Sequence, residues 1–189
     1  MSLHDYLVES AEVLRRTAET IGQHTMEAAI DCIVHALSDG RSVLVCGNGG
    51  SAADAMHITG ELVARFLIDR RAFRVICLSE NPVVLTAWSN DVSYETAFAR
   101  QVEAYGGEGS VMIGLSTSGT SRNVVAAFEQ ARRTGMRTIS LTGEGGGKLA
   151  PLSDFLFAVP SRRTPLIQQA HLCLYHYLCE HVERRLAAV

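Results

Sequence analysis

Two histidines, a glutamate and a glutamine stand at spacings that suit a metal site or an acid–base site. His57 and Glu61 are four residues apart in a segment of helical periodicity, so both side chains lie on one face of a helix. Gln168 and His176 are eight residues apart near the end of the chain, which places them about 80° apart around a helix. Imidazole and carboxylate groups are good zinc ligands, and an amide oxygen is a weaker one.

A plainer interpretation of each pair is a surface pair on a helix, which stabilises the helix by only about 0.2–0.5 kcal/mol. Taken alone, each pair is better explained in that way. The two pairs favour a site once they are combined with a phosphate-binding loop that ends about one turn before His57. His171 lies between Gln168 and His176 and belongs to the same group of candidates.

Two short polar loops each follow an apolar run and precede a helical stretch. The first is Gly47–Ser51, and the second is Ser116–Ser121, which we call the serine loop. A helix N-terminus carries unpaired N–H groups and partial positive charge, so it can hold an anion. Simple turns and helix caps would also use small polar residues. The unbroken run of small, mostly hydroxylic residues in the serine loop favours phosphate binding.

Two glycine motifs are weaker indicators. Gly47–Ala52 matches the dinucleotide pattern G-x-G-x-x-A, but the acidic residue that should follow the next strand comes late, at Glu80. Gly143–Lys148 resembles a P-loop, but Thr142 occupies the first glycine position and Leu149 replaces the residue that would bind Mg²⁺. We therefore interpret residues 143–148 as a flexible loop.

The hydrophobic pattern that must position these residues alternates between strands and helices. Five short apolar runs with little polar alternation are typical of strands buried on both faces of a parallel sheet. The runs are Val43–Cys46, Val75–Leu78, Val111–Leu115, Thr138–Leu141 and Phe155–Val159. Helices are predicted at residues 52–66, 83–105 and 121–134 and at Pro165–Ala187. This order predicts an α/β fold, a three-layer αβα sandwich with a five-stranded parallel sheet.

Two amphipathic helices are predicted ahead of the first strand. One covers residues 2–21, and the apolar face of the other runs from Met26 to Leu37 and ends near Gly40. No strand precedes them, so we expect their apolar faces to pack against another subunit. We expect a single domain over residues 1–189, with residues 1–40 as a helical segment that packs in the oligomer.

Composition and charge exclude several classes of protein. A chain of 189 residues with 47% apolar and 20% charged residues suits one folded domain rather than a disordered chain. Its 17 basic and 20 acidic residues give a net charge of −3, so nothing favours binding to nucleic acid or to an anionic membrane. The sequence has no apolar run long enough for a membrane span, no signal-peptide pattern and no CxxC pair, so we expect a cytoplasmic protein.

Residues 83–105 carry two further candidates. Trp88 is predicted to fill the core. Asn90 and Asp91 end a helical stretch, and Asp91 either caps the next helix or reaches a sugar hydroxyl. Residue type alone favours capping.

Several motifs together match a known family. They are Gly47–His57 followed by Glu61, Asn90-Asp91, Leu115–Asn123, and Thr164–His171 followed by His176 and Cys179. In these motifs the sequence closely resembles the sugar-isomerase (SIS) domain of the sedoheptulose-7-phosphate isomerases, also called phosphoheptose isomerases. The resemblance spans essentially the whole chain, including the two N-terminal helices.

The resemblance implies a ketose–aldose isomerisation through an enediol. Sedoheptulose 7-phosphate becomes D-glycero-D-manno-heptose 7-phosphate, the first step toward nucleotide-activated heptose for lipopolysaccharide or related glycans. Glu61 and His176 are the implied acid–base residues. Some members hold a zinc ion at the positions that match His57, Glu61, Gln168 and His176. The family works as a homotetramer with sites at the subunit interfaces.

The resemblance also implies how the sugar phosphate is held. The serine loop would hold the phosphate, the first loop would contact the substrate, and Asp91 would bind sugar hydroxyls. Together with Glu61 and Gln168, the implied binding residues are Asn48, Gly49, Gly50, Ser51, Asp91, Ser116, Thr117, Ser118, Thr120 and Ser121.

One departure and two alternatives accompany this resemblance. Gln169 replaces a glutamate that is usual in the family, and the lost charge could weaken a contact behind the site.

Some proteins with this domain are not enzymes and instead bind a replication initiator or a phosphosugar as regulators. They lack the catalytic residues, so the presence of His57, Glu61 and His176 favours an enzyme. A different sugar-phosphate isomerase is the third alternative.

Overall fold

A five-stranded parallel sheet lies between two layers of helices in the computed structural model, which describes residues 1–188. The strands are β1 Val43–Gly47, β2 Val75–Cys77, β3 Val111–Ser116, β4 Arg137–Thr142 and β5 Phe155–Ala158, in the spatial order β2-β1-β3-β4-β5. The helices are α1 Leu3–Thr20, α2 Gln23–Ser38, α3 Gly50–Val63, α4 Pro82–Asp91, α5 Ala97–Tyr105, α6 Arg122–Arg133 and α7 Thr164–Ala187. The predicted fold class is therefore confirmed.

The register of the sheet brings three loops to one edge. Gly47 at the end of β1 is opposite Leu115 in β3, and Ser116 is opposite Thr142 at the end of β4. Because the strands are parallel, the loops that follow β1, β3 and β4 leave the sheet side by side. Ligands bind at this carboxyl edge in open α/β sheets.

The sheet has a separate apolar core on each face. On one face, residues such as Ile113 in β3 pack with Ile33 of α2 and Leu178 of α7. On the other face, Met112 of β3 packs with Phe128 of α6. Neighbouring strand residues point to opposite faces, and both faces are covered, so β1 and β3 are buried along their whole length. This burial explains why their sequences lack polar alternation. No helix among residues 1–188 is long and apolar enough to cross a membrane.

The two N-terminal helices differ in what covers them. Ile30 and Ile33 of α2 are fully buried in this chain's own core, so the expectation that another subunit covers this face was wrong for α2. The helix covers the sheet beside α7 although no strand precedes it. Val13 of α1 packs in a small cluster with Leu166 of α7. The exposed large apolar residues of α1 are Leu3, Leu7 and Val8.

The predicted helix at residues 83–105 is broken into α4, a short 3₁₀ turn at Tyr94–Thr96, and α5. The side chain of Ser93 accepts the N–H of Glu95 and caps the new turn, so the prediction that Asp91 is the cap was wrong. Trp88 is only partly buried and does not fill the core. Its indole N–H donates to the hydroxyl of Thr96 at 2.8 Å, because an indole that is partly buried still needs a hydrogen-bond partner.

A buried carboxylate anchors the segment that follows α3. Glu183 of α7 is fully buried, and its carboxylate accepts the backbone N–H groups of Phe66, Leu67 and Ile68. Burial alone would raise the pKa of Glu183, but these donors and the guanidinium of Arg70 at 3.1 Å hold it below its ordinary value. The anchored segment places Phe66 beside the functional site.

Candidate active site

Helices α3 and α7 bring His57, Glu61 and His176 together. The Nε2 atom of His57 lies 2.8 Å from Oε1 of Glu61, so the predicted pairing along α3 is confirmed. The rings of His57 and His176 are 5.0 Å apart and nearly perpendicular. One potential ligand atom from each of the three residues lies within 4.8 Å of the other two. We call these three residues the His–Glu–His cluster.

The cluster lies at the boundary between solvent and core. The side chain of His57 is 43% exposed and that of Glu61 is 18% exposed. The Nε2 atom of His176 is buried and has no hydrogen-bond partner in the described part of the chain. The ring of Phe66 stacks on His176 with a centroid distance of 5.5 Å. A buried ring nitrogen without a partner is rare in proteins, so this atom is available for a ligand.

Tyr175 and Asp54 extend the cluster inward, and the sequence motifs did not identify either residue. The hydroxyl of Tyr175 lies 2.9 Å from Nδ1 of His57 and donates to Oδ1 of Asp54 at 3.4 Å. Burial raises the pKa of the Tyr175 hydroxyl, which therefore stays protonated. A hydroxyl that donates to Asp54 can accept the Nδ1–H of His57. In that tautomer the Nε2 lone pair would meet the Glu61 carboxylate, which only a cation between the two groups could stabilise. Without a cation, the 2.8 Å hydrogen bond requires that Nε2–H of His57 donates to Glu61 and that Tyr175 donates to Nδ1.

The donor set of the cluster fits a zinc ion. Two imidazoles and a carboxylate are common zinc ligands, and a ring nitrogen of His176 is free to bind. The second nitrogen of His57 is held by Tyr175, as the second nitrogen of a metal-bound histidine usually is. Gln168 lies on α7 two turns before His176, with its amide packed against the backbone of Gly50.

The hydroxyl groups of the serine loop form one cluster between β3 and α6. The Ser116 hydroxyl is 2.9 Å from that of Ser121 and 3.4 Å from that of Ser118. The Thr120 hydroxyl donates to Ser118 at 3.0 Å. Hydroxyls grouped at a helix N-terminus can donate to phosphate oxygens. Thr117 contributes differently, since its backbone carbonyl accepts the N–H of Gly143.

Side-chain hydrogen bonds join the loop after β1 to α6, the helix that follows the serine loop. Asn48 and Asn123 exchange two side-chain hydrogen bonds, each of 2.8 Å, and Tyr94 donates to the amide oxygen of Asn48 at 2.6 Å. These three residues and Ser121 line a cavity of about 450 Å³. Gly49 caps α3 and Ser51 in its first turn is buried. The two predicted loops therefore form one continuous surface at the carboxyl edge of the sheet.

Asp91 is not brought into contact with this surface. It is the exposed last residue of α4, and its carboxylate accepts a hydrogen bond from the neighbouring Asn90 at 2.8 Å. Within residues 1–188 no hydrogen bond joins Asp91 to the His–Glu–His cluster or to the serine loop. Its predicted contact with sugar hydroxyls stays a prediction.

Two further candidates on α7 face away from the cluster. His171 is fully buried and its Nε2 pairs with the carbonyl of Thr142 at 3.0 Å. Burial lowers the pKa of His171 to about 4, so this side chain is a neutral core residue at ordinary pH. Gln169, which replaces the usual glutamate, donates to the hydroxyl of Tyr6 on α1. The replacement therefore affects the contact between α1 and α7.

Comparisons with known proteins identify one family. The SIS domain family model matches residues 5–143. The phosphoheptose isomerase of Helicobacter pylori strain P12 is 44% identical over 176 residues, which are 93% of this chain and 91% of that protein. The solved structure of the phosphoheptose isomerase from Neisseria gonorrhoeae has a TM-score of 0.90 and 33% identity, covering 96% of this chain and 97% of that one. The corresponding structure from Francisella tularensis has a TM-score of 0.92 and 32% identity, with 96% of both chains covered.

Proposed function

The chain belongs to the phosphoheptose isomerases of the SIS-domain family, and we propose that its Glu61 and His176 carry out the proton transfers of their reaction. The protein is a sugar-phosphate isomerase that converts sedoheptulose 7-phosphate to D-glycero-D-manno-heptose 7-phosphate. The observation that supports the proposal most is the convergence of Glu61 and His57 on α3 with His176 on α7, whose buried Nε2 has no partner within residues 1–188.

The reaction defines what the site must do. The ketose has its carbonyl at C2, and a base removes a proton from C1 to give an enediol. A proton then returns to C2, and the hydroxyl proton moves from O1 to O2. No proton is gained or lost overall. The enzyme therefore needs one group beside C1 and C2 and a second acid–base group beside O1 and O2.

Glu61 has the position of the carbon base. Its carboxylate is carried by a helix and is held by His57 at 2.8 Å, while part of the side chain remains open to solvent. A carboxylate fixed in this way can accept the C1 proton and return it to C2 without moving far. A base held beside the reacting atoms contributes about 10²–10⁴-fold to the rate.

His176 has the position of the oxygen acid–base group. One ring nitrogen of His176 lies within 4.8 Å of a carboxylate oxygen of Glu61, and its buried Nε2 makes no hydrogen bond within residues 1–188. Phe66 and Tyr175 pack on the ring and fix its orientation. We propose that the imidazole of His176 exchanges the proton between O1 and O2 of the substrate.

The serine loop supplies the anchor at the other end of the substrate. We propose that the hydroxyls of Ser116, Ser118, Thr120 and Ser121 bind the 7-phosphate, and that the loop at Asn48–Ser51 contacts the sugar. Binding energy from the phosphate, which does not react, can then hold C1 and C2 against Glu61. The hydrogen bonds between Asn48 and Asn123 support this arrangement because they connect the two loops.

We also propose that one zinc ion binds at His57, Glu61, Gln168 and His176. The support is the spacing of the His–Glu–His cluster and the free Nε2 of His176. Bound there, zinc would supply Lewis acidity that polarises the carbonyl. His57 would serve as a ligand through Nε2 in its Nδ1–H tautomer, in which the hydroxyl of Tyr175 can accept the Nδ1–H.

A homotetramer is the oligomeric state that we propose. Leu3, Leu7 and Val8 on α1 are exposed apolar residues. An apolar groove of about 410 Å³ lies between α1, α2 and α7 and is lined by residues that include Leu14, Ile21 and Leu174. Light scattering should give the mass of four chains, and a monomer of 20.5 kDa at micromolar concentration would contradict this proposal.

The activity is tested by incubating the protein with sedoheptulose 7-phosphate and following the aldose product by NMR. Sedoheptulose without phosphate is the matched control, because it keeps the reacting carbons and removes the anchor. We expect turnover of the phosphorylated sugar and a much lower kcat/KM for the other. Equal turnover of both sugars would contradict the role of the serine loop.

A further inference from the structure

We propose that the glycine-rich stretch Gly143–Gly147, here called the glycine segment, is a positioning element for phosphate binding. Its backbone holds the serine loop in the shape that receives the phosphate. This inference rests on the proposed function of the serine loop. It replaces the interpretation of residues 143–148 as a flexible loop, because the segment is packed and hydrogen-bonded.

Two backbone hydrogen bonds join the glycine segment and its flank to the serine loop. The N–H of Gly143 donates to the carbonyl of Thr117 at 3.0 Å, and the N–H of Leu149 donates to the carbonyl of Gly119 at 3.1 Å. Both carbonyls are therefore directed toward the segment. A carbonyl oxygen that pointed at a phosphate would repel it, whereas N–H groups and hydroxyls attract it. The segment and its flank thus hold two of the loop's carbonyl groups, those of Thr117 and Gly119, in hydrogen bonds.

The approach of the two backbones is so close that it excludes side chains. A Cβ atom on Gly147 would lie 2.7 Å from the carbonyl oxygen of Ser118, and one on Gly143 would lie 2.5 Å from that of Thr117. From the side of the serine loop, a Cβ on Gly119 would collide with the carbonyl of Gly146. Glycine is therefore required on both sides of this contact. The middle of the serine loop, residues 117–119, therefore packs directly on the backbone of the segment.

The segment is itself fixed to the start of α7. The N–H of Glu144 donates to the carbonyl of Ser161 at 3.0 Å, and the Glu144 carboxylate accepts from Arg162 at 2.5 Å. Ser161 and Arg162 lead into the helix that carries Gln168 and His176. The segment therefore sets the position of the phosphate-binding hydroxyls relative to the proposed catalytic residues.

Three neighbouring glycines provide matched variants. Gly145, Gly146 and Gly147 have φ angles of 78°, 73° and 55°, so an alanine at any of them has the same kind of backbone strain. A Cβ on Gly145 meets no atom within 4 Å, and one on Gly146 meets the side chains of Ala150 and Leu156 at 2.9 and 3.0 Å. Of these three glycines, only Gly147 would place a Cβ against the serine loop. Gly145→Ala thus isolates strain, and Gly146→Ala adds crowding away from the loop.

The experiment compares these three variants with the wild type. It measures kcat and KM for sedoheptulose 7-phosphate, competitive inhibition by inorganic phosphate, and Tm. We expect Gly147→Ala to raise both KM and the inhibition constant of phosphate by roughly 10- to 100-fold, as small displacements of positioning groups do, with kcat much less affected. Gly145→Ala should lower Tm but keep phosphate affinity near the wild-type value. Gly146→Ala should weaken phosphate binding less than Gly147→Ala does, because its Cβ crowds Ala150 and Leu156 and not the serine loop. If Gly147→Ala does not fold, Gly143→Ala tests the same contact through Thr117.

The inference is overturned if Gly147→Ala or Gly143→Ala, whose Cβ atoms meet the serine loop, binds phosphate as well as Gly145→Ala does. It is also overturned if all the variants lose phosphate affinity in proportion to their loss of Tm, since that would reflect general stability. Failure of the proposed function would give a different result from failure of this inference. In that case the wild-type protein itself would fail to isomerise the sugar phosphate or to bind inorganic phosphate.

Discussion

The Nδ1 atom of His57 lies 2.9 Å from the hydroxyl of Tyr175, a residue 118 positions later in the chain. Tyr175 is only 1% exposed and its hydroxyl also reaches Asp54. The contact fixes the orientation of the imidazole, so that its Nε2 atom faces Glu61 at 2.8 Å. The site therefore has a buried support behind the residues that meet the substrate.

Removing this hydroxyl should weaken the site without unfolding the protein. Tyr175→Phe keeps the buried ring but leaves Nδ1 of His57 unsupported. We expect zinc affinity to fall about 10- to 100-fold, as is typical for the loss of such a partner, and kcat to fall with it. Chelator competition and steady-state kinetics measure the two effects.

Tyr177→Phe is the matched control on the same helix, because the Tyr177 hydroxyl is exposed and accepts a hydrogen bond from Gln23. It should leave both quantities unchanged. If Tyr175→Phe behaves like Tyr177→Phe in zinc affinity and in kcat, the support has no functional role.

Ser118→Ala tests the phosphate anchor. The Ser118 hydroxyl lies in the centre of the loop's hydroxyl cluster, and one hydrogen bond to a charged group is worth about 1.5–3 kcal/mol. We expect KM for the sugar phosphate to rise about 10- to 100-fold with little change in kcat. Ser10→Ala, which removes a hydroxyl bonded within α1, should change neither value. A large fall in kcat at unchanged KM would place Ser118 in the chemical step instead.

The buried His171 should make stability depend on pH. Its pKa is lowered to about 4 in the folded protein from an ordinary value of 6.5. Between these values the unfolded chain binds the proton and the folded one does not, so stability falls as pH falls from 6.5 toward 4. The full loss is about 3 kcal/mol.

Urea unfolding of the wild type and of His171→Gln at pH 7 and pH 4.5 measures this effect. The stability difference between the two proteins should shrink as the pH falls, because the variant lacks the titrating group. A difference that is the same at both pH values would contradict the assignment.

Zinc removal tests the proposed cofactor. Dialysis against a chelator should lower kcat, and adding zinc should restore it. The variants His57→Gln and His176→Gln should each bind zinc more weakly than the wild type. The control His181→Gln, which lies on α7 with His176 but outside the cluster, should bind zinc as the wild type does. Full activity of the chelated protein, with no zinc detected by metal analysis, would contradict the proposed cofactor. Glu61 and His176 would then act as acid–base residues without a metal.

Much of the fold could be predicted from local patterns. Strands buried on both faces read as short apolar runs, as β1 and β3 do, and the parallel order then places the loops after β1 and β3 side by side. The pairing of His57 with Glu61 also follows from helical spacing alone. These features depend on residues that are close in sequence or on rules of sheet topology.

Contacts between distant segments could not be predicted in the same way. The spacing along one helix does not reveal that Tyr175 meets His57 or that Asn48 pairs with Asn123. The sequence ends a helical stretch at Asn90-Asp91, but periodicity does not reveal that Ser93 caps the turn that follows or that the indole of Trp88 donates to Thr96. The glycine segment was misinterpreted because glycines that allow close packing resemble glycines that allow flexibility.

Glu61 is the residue on which the mechanism depends most. Glu61→Gln keeps the size of the side chain and its capacity for hydrogen bonding but removes the base. The direct measurement follows sedoheptulose 7-phosphate in D₂O by NMR, with the wild type and the variant side by side. The wild type should form the aldose and exchange carbon-bound hydrogen at C1 and C2 for deuterium. The variant should do both about 10²–10⁴-fold more slowly while still binding the sugar phosphate. Exchange and turnover by Glu61→Gln at rates near those of the wild type would contradict the account.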